Sequence, residues 1–169
     1  NVGGPIEMAS WRSKVDAVLV AWQPGQEGGH AIADVLSGKV NPSGRLPMTF
    51  PVKYNDVPSA DTFPGKETGE PSRLPNNPFA GKPAVAMYTE GIFVGYRYYV
   101  TQKLETAYDF GFGLSYTNFS YENIKLQGHD LVKPVSVQIG VKNSGKAAGR
   151  EVVQLYVAAP NGTLKKPNA

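Results

Sequence analysis

Three side chains with potential metal-binding or acid–base chemistry lie close together near the start of the chain. Glu27, His30 and Asp34 are spaced so that a helix would place them on one face. The pattern Glu-x-x-His supplies ligands in di-iron helix bundles, but such a centre needs two copies of it and two further glutamates. The sequence has one copy, so we expect no metal and no other cofactor here. Glu27 is expected instead to stabilise the free N–H groups of the first helical turn.

Two other motifs approach catalytic patterns without completing them. The glycine-rich run 25–29 follows a predicted strand and precedes a predicted helix, which is where a phosphate-binding loop would lie. Its spacing fits neither nucleotide-binding pattern, so its glycines are expected to allow close packing of helix against strand. Ser115 lies in Gly-Leu-Ser-Tyr-Thr, which lacks the final glycine of a nucleophile elbow. The histidines are His30 and His129, the latter in a polar turn, so a Ser–His–Asp system is poorly supported.

Acidic side chains could hydrolyse glycosides, but the sequence singles out no pair of them. That chemistry needs two carboxyl groups roughly 5–10 Å apart across a sugar. Spacing does not distinguish among the acidic residues of the central segment, which are Asp56, Asp61, Glu67, Glu70 and Glu90. The tripeptides 118–120 and 161–163 match the N-glycosylation pattern, which is frequent by chance. The residues alone therefore predict no catalytic, substrate-binding or metal site.

The elements that would position these residues begin with an α/β pattern. Ile6 to Lys14 predicts a short helix, and Val15 to Trp22 is nearly all apolar, as in a strand buried on both faces of a parallel sheet. Gln26 to Leu36 has the apolar spacing of an amphipathic helix, with Gly38 in the place of its C-terminal cap. Trp22 would stand at the carboxyl end of the strand, where open α/β sheets bind ligands, although a core tryptophan is more common.

The later segments change from proline-rich to all-β. Nine of the 14 prolines lie between Pro42 and Pro83, so 41–87 is predicted to be an extended surface segment. Residues 92–100 are β-prone, and 107–116 are aromatic and glycine-rich, which predicts an irregular packed segment. Alternating apolar residues then predict three half-buried strands, near 124–126, 135–141 and 153–157, with a turn at 143–146. They resemble the opening of a β-sandwich, which needs about seven strands, so this part cannot close its own core.

Composition excludes several classes of protein. A content of 41% hydrophobic and 11% aromatic residues argues against a disordered chain. No apolar run approaches the roughly 20 residues of a membrane helix, and no leader peptide is visible. The net charge of +3 comes from interspersed charges, so we expect neither a nucleic-acid nor a membrane partner. The absence of cysteine excludes disulfides and thiolate metal sites.

Six sequence segments together carry a family resemblance. They are VLVAWQPGQEGG at 18–29, AIADVLSG at 31–38, NPSGRLPMTFP at 41–51, YTEGIFVGYRYY at 88–99, YDFGFGLSYT at 108–117 and EVVQLYV at 151–157. With these segments in this order, almost the whole chain resembles the C-terminal half of family-3 glycoside hydrolases, the β-glucosidase and β-xylosidase group. Each segment alone is unspecific, whereas their combination is highly specific.

The resemblance implies an α/β fold class: the C-terminal part of an αβα sandwich domain, followed by an incomplete fibronectin-III-like β-sandwich. We expect residues 1–54 to end the α/β sandwich domain and 55–87 to be the proline-rich surface segment. Residues 88–117 would be the aromatic, glycine-rich end of the α/β region, and 118–169 the start of the fibronectin-III-like domain. The N-terminal (β/α)₈ barrel of such enzymes, and the first part of the α/β domain, would lie outside this chain.

The resemblance also implies a fragment of a retaining, exo-acting β-glycosidase, with β-glucosidase as the foremost activity on terminal β-linked sugars. In this family the nucleophile is an aspartate of the barrel, and the acid/base glutamate precedes the segment that matches residues 1–5. Neither falls inside this chain, so we expect a structural segment that is inactive alone. Its partners would be the remaining portion of the same enzyme and a carbohydrate substrate. Glu27 would then fix the strand–helix junction.

Two further hypotheses concern side chains outside the expected catalytic centre. Glu90 and Arg97 could form a buried charged contact, because an unpaired buried charge is costly. The alternative to the fragment is a non-catalytic carbohydrate-binding or interaction module, in which the aromatic residues of 96–99 and 110–116 would stack on sugars or on a partner. Packing of those aromatic residues between two domains is the favoured interpretation.

Overall fold

The computed structural model describes residues 1–74, 76–77, 80–128, 134–158 and 166–167. The predictions about His129 and the tripeptide 161–163 therefore lie outside the described residues. The chain divides into two compact units, each built from segments that are distant in sequence. Unit one consists of Asn1, Val20–Leu46 and Phe112–Gln154, and unit two of Val2–Leu19, Pro47–Gly111 and Leu155–Ala169.

Regular structure in the described residues is made of short elements. The helices are α1 (Gly28–Leu36) and α2 (Tyr96–Gln102), with 3₁₀ turns at Arg12–Lys14 and Tyr54–Asp56. The strands are β1 (Phe50–Pro51), β2 (Lys66–Glu67), β3 (Ala84–Val85), β4 (Thr106–Tyr108), β5 (Phe119–Gln127) and β6 (Ser136–Asn143). They pair antiparallel as β1 with β4, β2 with β3, and β5 with β6. The prediction of a chain with both helices and strands is confirmed.

Helix α1 of unit one follows the sequence prediction closely. It ends where Gly38 takes a left-handed φ of +77°, and the Gly38 N–H donates to the Val35 carbonyl at 3.0 Å. That is the cap expected of glycine, which adopts this conformation without a Cβ penalty. At the other end a Cβ on Gly28 would lie 2.6 Å from the Cβ of Pro24. The predicted packing of these glycines against a strand is wrong, because a Cβ on Gly25 or Gly29 would meet nothing within 4 Å and Gly28 meets only a proline of the preceding turn.

The hairpin β5–β6 confirms two of the three predicted alternating strands. Its register runs from Phe119 opposite Asn143 to Gln127 opposite Ser136, with an irregularity between Glu122 and Lys125. Both strands remain largely exposed within the described residues, because two strands alone cannot bury a face.

The core of unit two lies around β1. Phe50 is fully buried, and its ring meets Tyr108 edge-on in the neighbouring strand β4. Met8, Tyr99 and Ala107 are buried as well. Residues 41–87 are therefore not only a surface segment, because they supply the most completely buried side chain described.

Several predicted elements are wrong, for related reasons. Helix formation within 6–14 is limited to the 3₁₀ turn, and neither 15–22 nor 153–157 is assigned as a strand. A strand requires a hydrogen-bonded neighbouring strand, and neither segment belongs to a strand pair among the described residues; Leu19 is 43% and Leu155 66% exposed.

The β-prone segment 92–100 is also mispredicted, since its second half belongs to α2. Gly95 precedes this helix with a left-handed φ of +57°, and Tyr96, Tyr99 and Val100 then share one face at helical spacing. The aromatic and β-branched side chains favour a strand, but Gly95 adopts a positive φ that is open to glycine, and the helix begins at the next residue.

A large surface remains uncovered. The chain exposes 13,206 Å², whereas a folded monomer of this mass exposes roughly 8,000 Å² by the usual scaling with mass. No helix within the described ranges is long and apolar enough to cross a membrane.

Candidate functional site

The densest polar network described is in unit one and centres on Asn41. Its Oδ1 atom accepts hydrogen bonds from the Ser115 hydroxyl at 2.9 Å and the Tyr116 N–H at 2.8 Å. Its Nδ2 atom donates to the Ala148 carbonyl at 2.9 Å. The Tyr116 hydroxyl in turn donates to the Val35 carbonyl at the end of α1, at 2.8 Å. One amide thus joins three chain segments more than 30 residues apart.

A buried ion pair lies in the same unit. Arg45 Nη2 and Glu151 Oε2 are 2.6 Å apart, and the two side chains are 10% and 14% exposed. The other carboxylate oxygen of Glu151 accepts a hydrogen bond from the Tyr121 hydroxyl at 3.0 Å. Desolvation, together with this hydrogen bond to a carboxylate, raises the pKa of Tyr121. Both oxygens of Glu151 are therefore occupied by partners within the unit.

Tight backbone packing surrounds this network. A Cβ on Gly113 would lie 2.6 Å from the Gly44 carbonyl oxygen. A Cβ on Gly145 would meet the Thr117 hydroxyl oxygen, and one on Gly149 would lie 2.8 Å from the Asn41 side-chain nitrogen. The approach at Gly113 is to backbone, so a side chain there would displace the chain, and the network is a tightly packed junction.

The predicted chemical residues of the first helix form only a surface contact. The His30 ring nitrogen Nδ1 lies 2.6 Å from Glu27 Oε2, and the two side chains are 87% and 75% exposed. Asp34 pairs separately with Lys39 at 3.0 Å. The structure therefore does not join Glu27, His30 and Asp34 into one site, and no possible metal-binding cluster is found among the described residues.

Ser115 is placed as a structural hydroxyl. It donates to Asn41 and accepts from the Thr117 N–H at 3.3 Å. Its hydrogen bonds join residues 41, 115 and 117.

An aromatic cavity of about 290 Å³ lies in unit two. Its lining residues are Thr49, Tyr96, Tyr99, Val100, Asp109, Phe110 and Tyr156. The Tyr96 ring stacks on Phe110 with 5.0 Å between centroids and meets Tyr156 edge-on at 5.6 Å. Burial, with further repulsion from Asp56 and Tyr98, raises the pKa of Tyr99 to about 12. Because the rings contact one another, they are engaged in packing within this unit.

The proposed pairing of Glu90 with Arg97 is wrong. Arg97 is exposed, and its guanidinium carbon lies 5.7 Å from the centre of the Tyr96 ring. Glu90 is partly buried, and its Oε2 atom has no hydrogen-bond partner in the described part of the chain. The two side chains thus take separate surroundings, although they are only seven residues apart.

Sequence reasoning missed Asn41, Arg45 and Glu151. They lie in segments quoted for the family resemblance, at 41–51 and 151–157, yet nothing in a single sequence pairs positions about 106 residues apart. The local signal was the Asn41-Pro42 dipeptide, which indicates a turn but does not predict which residues Asn41 contacts.

Comparison with known proteins gives a consistent match. Residues 1–96 match the glycosyl hydrolase family 3 C-terminal domain. A β-glucosidase of Rhizobium radiobacter is 45% identical over 168 residues, which cover 99% of this chain and 19% of that protein. The thermostable β-glucosidase B of Acetivibrio thermocellus is 45% identical over 167 residues, or 98% of this chain and 20% of that protein.

A solved structure is similar as well. β-Glucosidase 3B from Thermotoga neapolitana, in complex with glycerol, superposes with a TM-score of 0.73 at 46% identity, over 88% of this chain and 19% of that one. The chain therefore spans about a fifth of the length of these similar proteins.

Proposed function

The chain belongs to glycoside hydrolase family 3, and we propose that it is a structural portion of a retaining, exo-acting β-glycosidase, with β-glucosidase as the foremost activity. The observation that carries the proposal is the match of nearly the whole chain to about one fifth of proteins named β-glucosidases. In this proposal, terminal β-linked sugars are hydrolysed by carboxylates outside residues 1–169.

The carboxylates of the described residues support a structural role. A retaining glycosidase needs a nucleophile and an acid/base group about 5 Å apart and free to reach the sugar. Here five acidic side chains form ion pairs: Glu27 with His30, Asp34 with Lys39, Asp56 with Lys53, Glu67 with Lys82, and Glu151 with Arg45. The buried Glu151 in particular has no free oxygen.

The exposed strand-like segments support a larger enzyme as partner. Residues 15–22 and 153–157 have the apolar patterns of strands but belong to none of the strand pairs among the described residues. Exposed apolar stretches of this kind mark interaction surfaces. We propose that the remaining portion of the enzyme supplies their neighbouring strands, and that β5 and β6 begin the fibronectin-III-like domain.

The test combines two activity measurements on nitrophenyl β-glucoside and β-xyloside. The purified chain, checked by intact mass at 18.2 kDa, is expected to hydrolyse neither substrate. A chimera, in which this chain replaces the matching segment of the Rhizobium radiobacter β-glucosidase, is expected to be active, with the unmodified enzyme as control. Hydrolysis by the chain alone would overturn the assignment of catalysis to residues outside it, and an inactive chimera beside an active control would overturn the placement in a β-glucosidase.

The aromatic cavity favours a second candidate, a carbohydrate-binding module. Apolar pockets with a few polar groups are common ligand sites, and this cavity of about 290 Å³ has the Asp109 carboxylate among its aromatic rings. Titration of the chain with glucose and cellobiose, followed by NMR, distinguishes the candidates. Binding that Tyr96→Ala abolishes would support the module, whereas the structural proposal predicts no shift.

A further inference from the structure

Glu90 lies at the start of a tight turn in unit two. The Phe93 N–H donates to the Glu90 carbonyl at 3.0 Å, and Gly91 between them has a left-handed φ of +56°. Glycine makes that turn conformation inexpensive, so the position of Glu90 is fixed by the backbone. The Oε2 atom of Glu90 is buried without a hydrogen-bond partner in the described residues.

A buried carboxylate oxygen without a partner is costly. Buried charges in proteins are normally paired and hydrogen-bonded, because the interior cannot replace the water that they lose. The nearest cation in sequence, Arg97, is exposed and lies over the Tyr96 ring. The group that compensates Glu90 is therefore absent from the part of the chain that the structure describes.

Exposed apolar side chains flank Glu90 on both sides in sequence. Met87 is 60% exposed, Tyr88 84%, Ile92 55% and Val94 46%. An almost fully exposed tyrosine beside other large, exposed apolar side chains is typical of a surface that binds another protein surface. Contact of these apolar side chains with water is unfavourable, so their burial against a partner would contribute to binding.

We propose that residues 87–94 form a docking loop for the remaining portion of the glycosidase, and that Glu90 pairs there with an arginine of that portion. The inference rests on the proposed function, because about four fifths of the similar β-glucosidases lies outside the matched region and provides the partner. Arginine fits better than lysine, because its planar, weakly hydrated guanidinium can hydrogen-bond to both oxygens of a carboxylate at an interface.

The experiment uses the chimera described above, with the full 169-residue chain inside the Rhizobium radiobacter enzyme. Glu90→Gln is expected to shorten the half-life of thermal inactivation at least tenfold, because it leaves the partner cation buried and unpaired. Glu70→Gln is the matched control, since Glu70 is an exposed carboxylate of the same unit, and it should change the half-life less than twofold. Glu90→Asp should retain part of the stability.

A cross-link gives a second measurement that does not depend on activity. The photoreactive substitution Tyr88→p-benzoylphenylalanine is expected to attach to a peptide outside the 169-residue segment. Substitution of the arginine nearest to the cross-linked peptide should then destabilise the chimera no further once Glu90→Gln is present.

The outcomes separate this inference from the proposed function. An active chimera in which Glu90→Gln behaves like Glu70→Gln, with cross-links only inside the segment, overturns the docking loop and leaves the β-glucosidase assignment standing. An inactive chimera that still gives the external cross-link supports the docking loop and overturns the assignment. An inactive chimera that gives no external cross-link overturns both the docking loop and the β-glucosidase assignment.

Discussion

Removal of one member of the Arg45–Glu151 ion pair should strongly destabilise unit one. The charged atoms lie 2.6 Å apart, and both side chains are at least 86% buried. At that distance the Coulomb attraction is about 6 kcal/mol for an effective dielectric constant near 20, and desolvation of both groups offsets much of it. Truncation of one partner leaves the other charge buried alone, which costs about 3–5 kcal/mol. We therefore expect Arg45→Met to lower the free energy of unfolding of unit one by about 3 kcal/mol.

Amide hydrogen exchange on peptides from β5 and β6 measures this loss where it occurs. A change of about 3 kcal/mol corresponds to a roughly 100-fold loss of protection for amides that exchange through unfolding of the unit. Lys39→Met is the matched control, because Lys39 and Asp34 form an ion pair in the same unit at 3.0 Å but are 72% and 33% exposed. Exposed pairs contribute about 0–1 kcal/mol, so protection should fall less than about fivefold.

The double variant Arg45→Met/Glu151→Leu tests the cause of the loss. If an orphaned charge is responsible, removal of the second charge should restore much of the protection, and the two single effects should not add. Additive losses, or an Arg45→Met effect no larger than that of Lys39→Met, would refute the reasoning.

Two further predictions follow from the same structure. Asn41→Ala removes two acceptor contacts and one donor contact and should lower the free energy of unfolding of unit one by about 2 kcal/mol. Asn41→Asp keeps both acceptor contacts and should lose less stability, measured as hydrogen-exchange protection of unit one. An equal loss of protection in the two variants would contradict this prediction. Burial raises the pKa of Tyr99 to about 12, so its stabilising effect is complete below about pH 10 and is lost as the pH rises towards 12. Tyr99→Phe should flatten that alkaline decline in thermal melts, whereas Tyr54→Phe, at an exposed tyrosine, should leave it unchanged.

Local patterns predicted the self-contained elements well. Helix α1 has its apolar spacing and its terminal glycine within eleven residues, so one stretch of sequence holds all the necessary information. The strands β5 and β6 carry alternating apolar residues and pair with each other, apart from the irregularity between Glu122 and Lys125. In both cases the partner of each residue lies within the same short segment or the next one.

The polar network could not be predicted, because its partners are distant. Asn41 contacts Ser115 and Ala148, and Arg45 contacts Glu151, at separations of 74 to 107 residues. Residue type and spacing describe which groups could pair, but the folded backbone determines which pairs meet. Glu90 and Arg97 show the converse, since closeness in sequence did not bring their charges together.

The mispredicted strands carry information about the proposed larger enzyme. Residues 15–22 are apolar on both faces, a pattern that is stable only in a sheet with neighbours on each side. No strand pair among the described residues includes this segment, and Val15, Val18 and Leu19 are exposed although they are apolar. The docking loop 87–94 also contains an unsatisfied group, because the buried Oε2 atom of Glu90 has no hydrogen-bond partner in the described residues. Because native sequences are locally consistent with their complete structures, both conflicts support the inference that these surfaces are complementary to the remaining portion of a glycosidase.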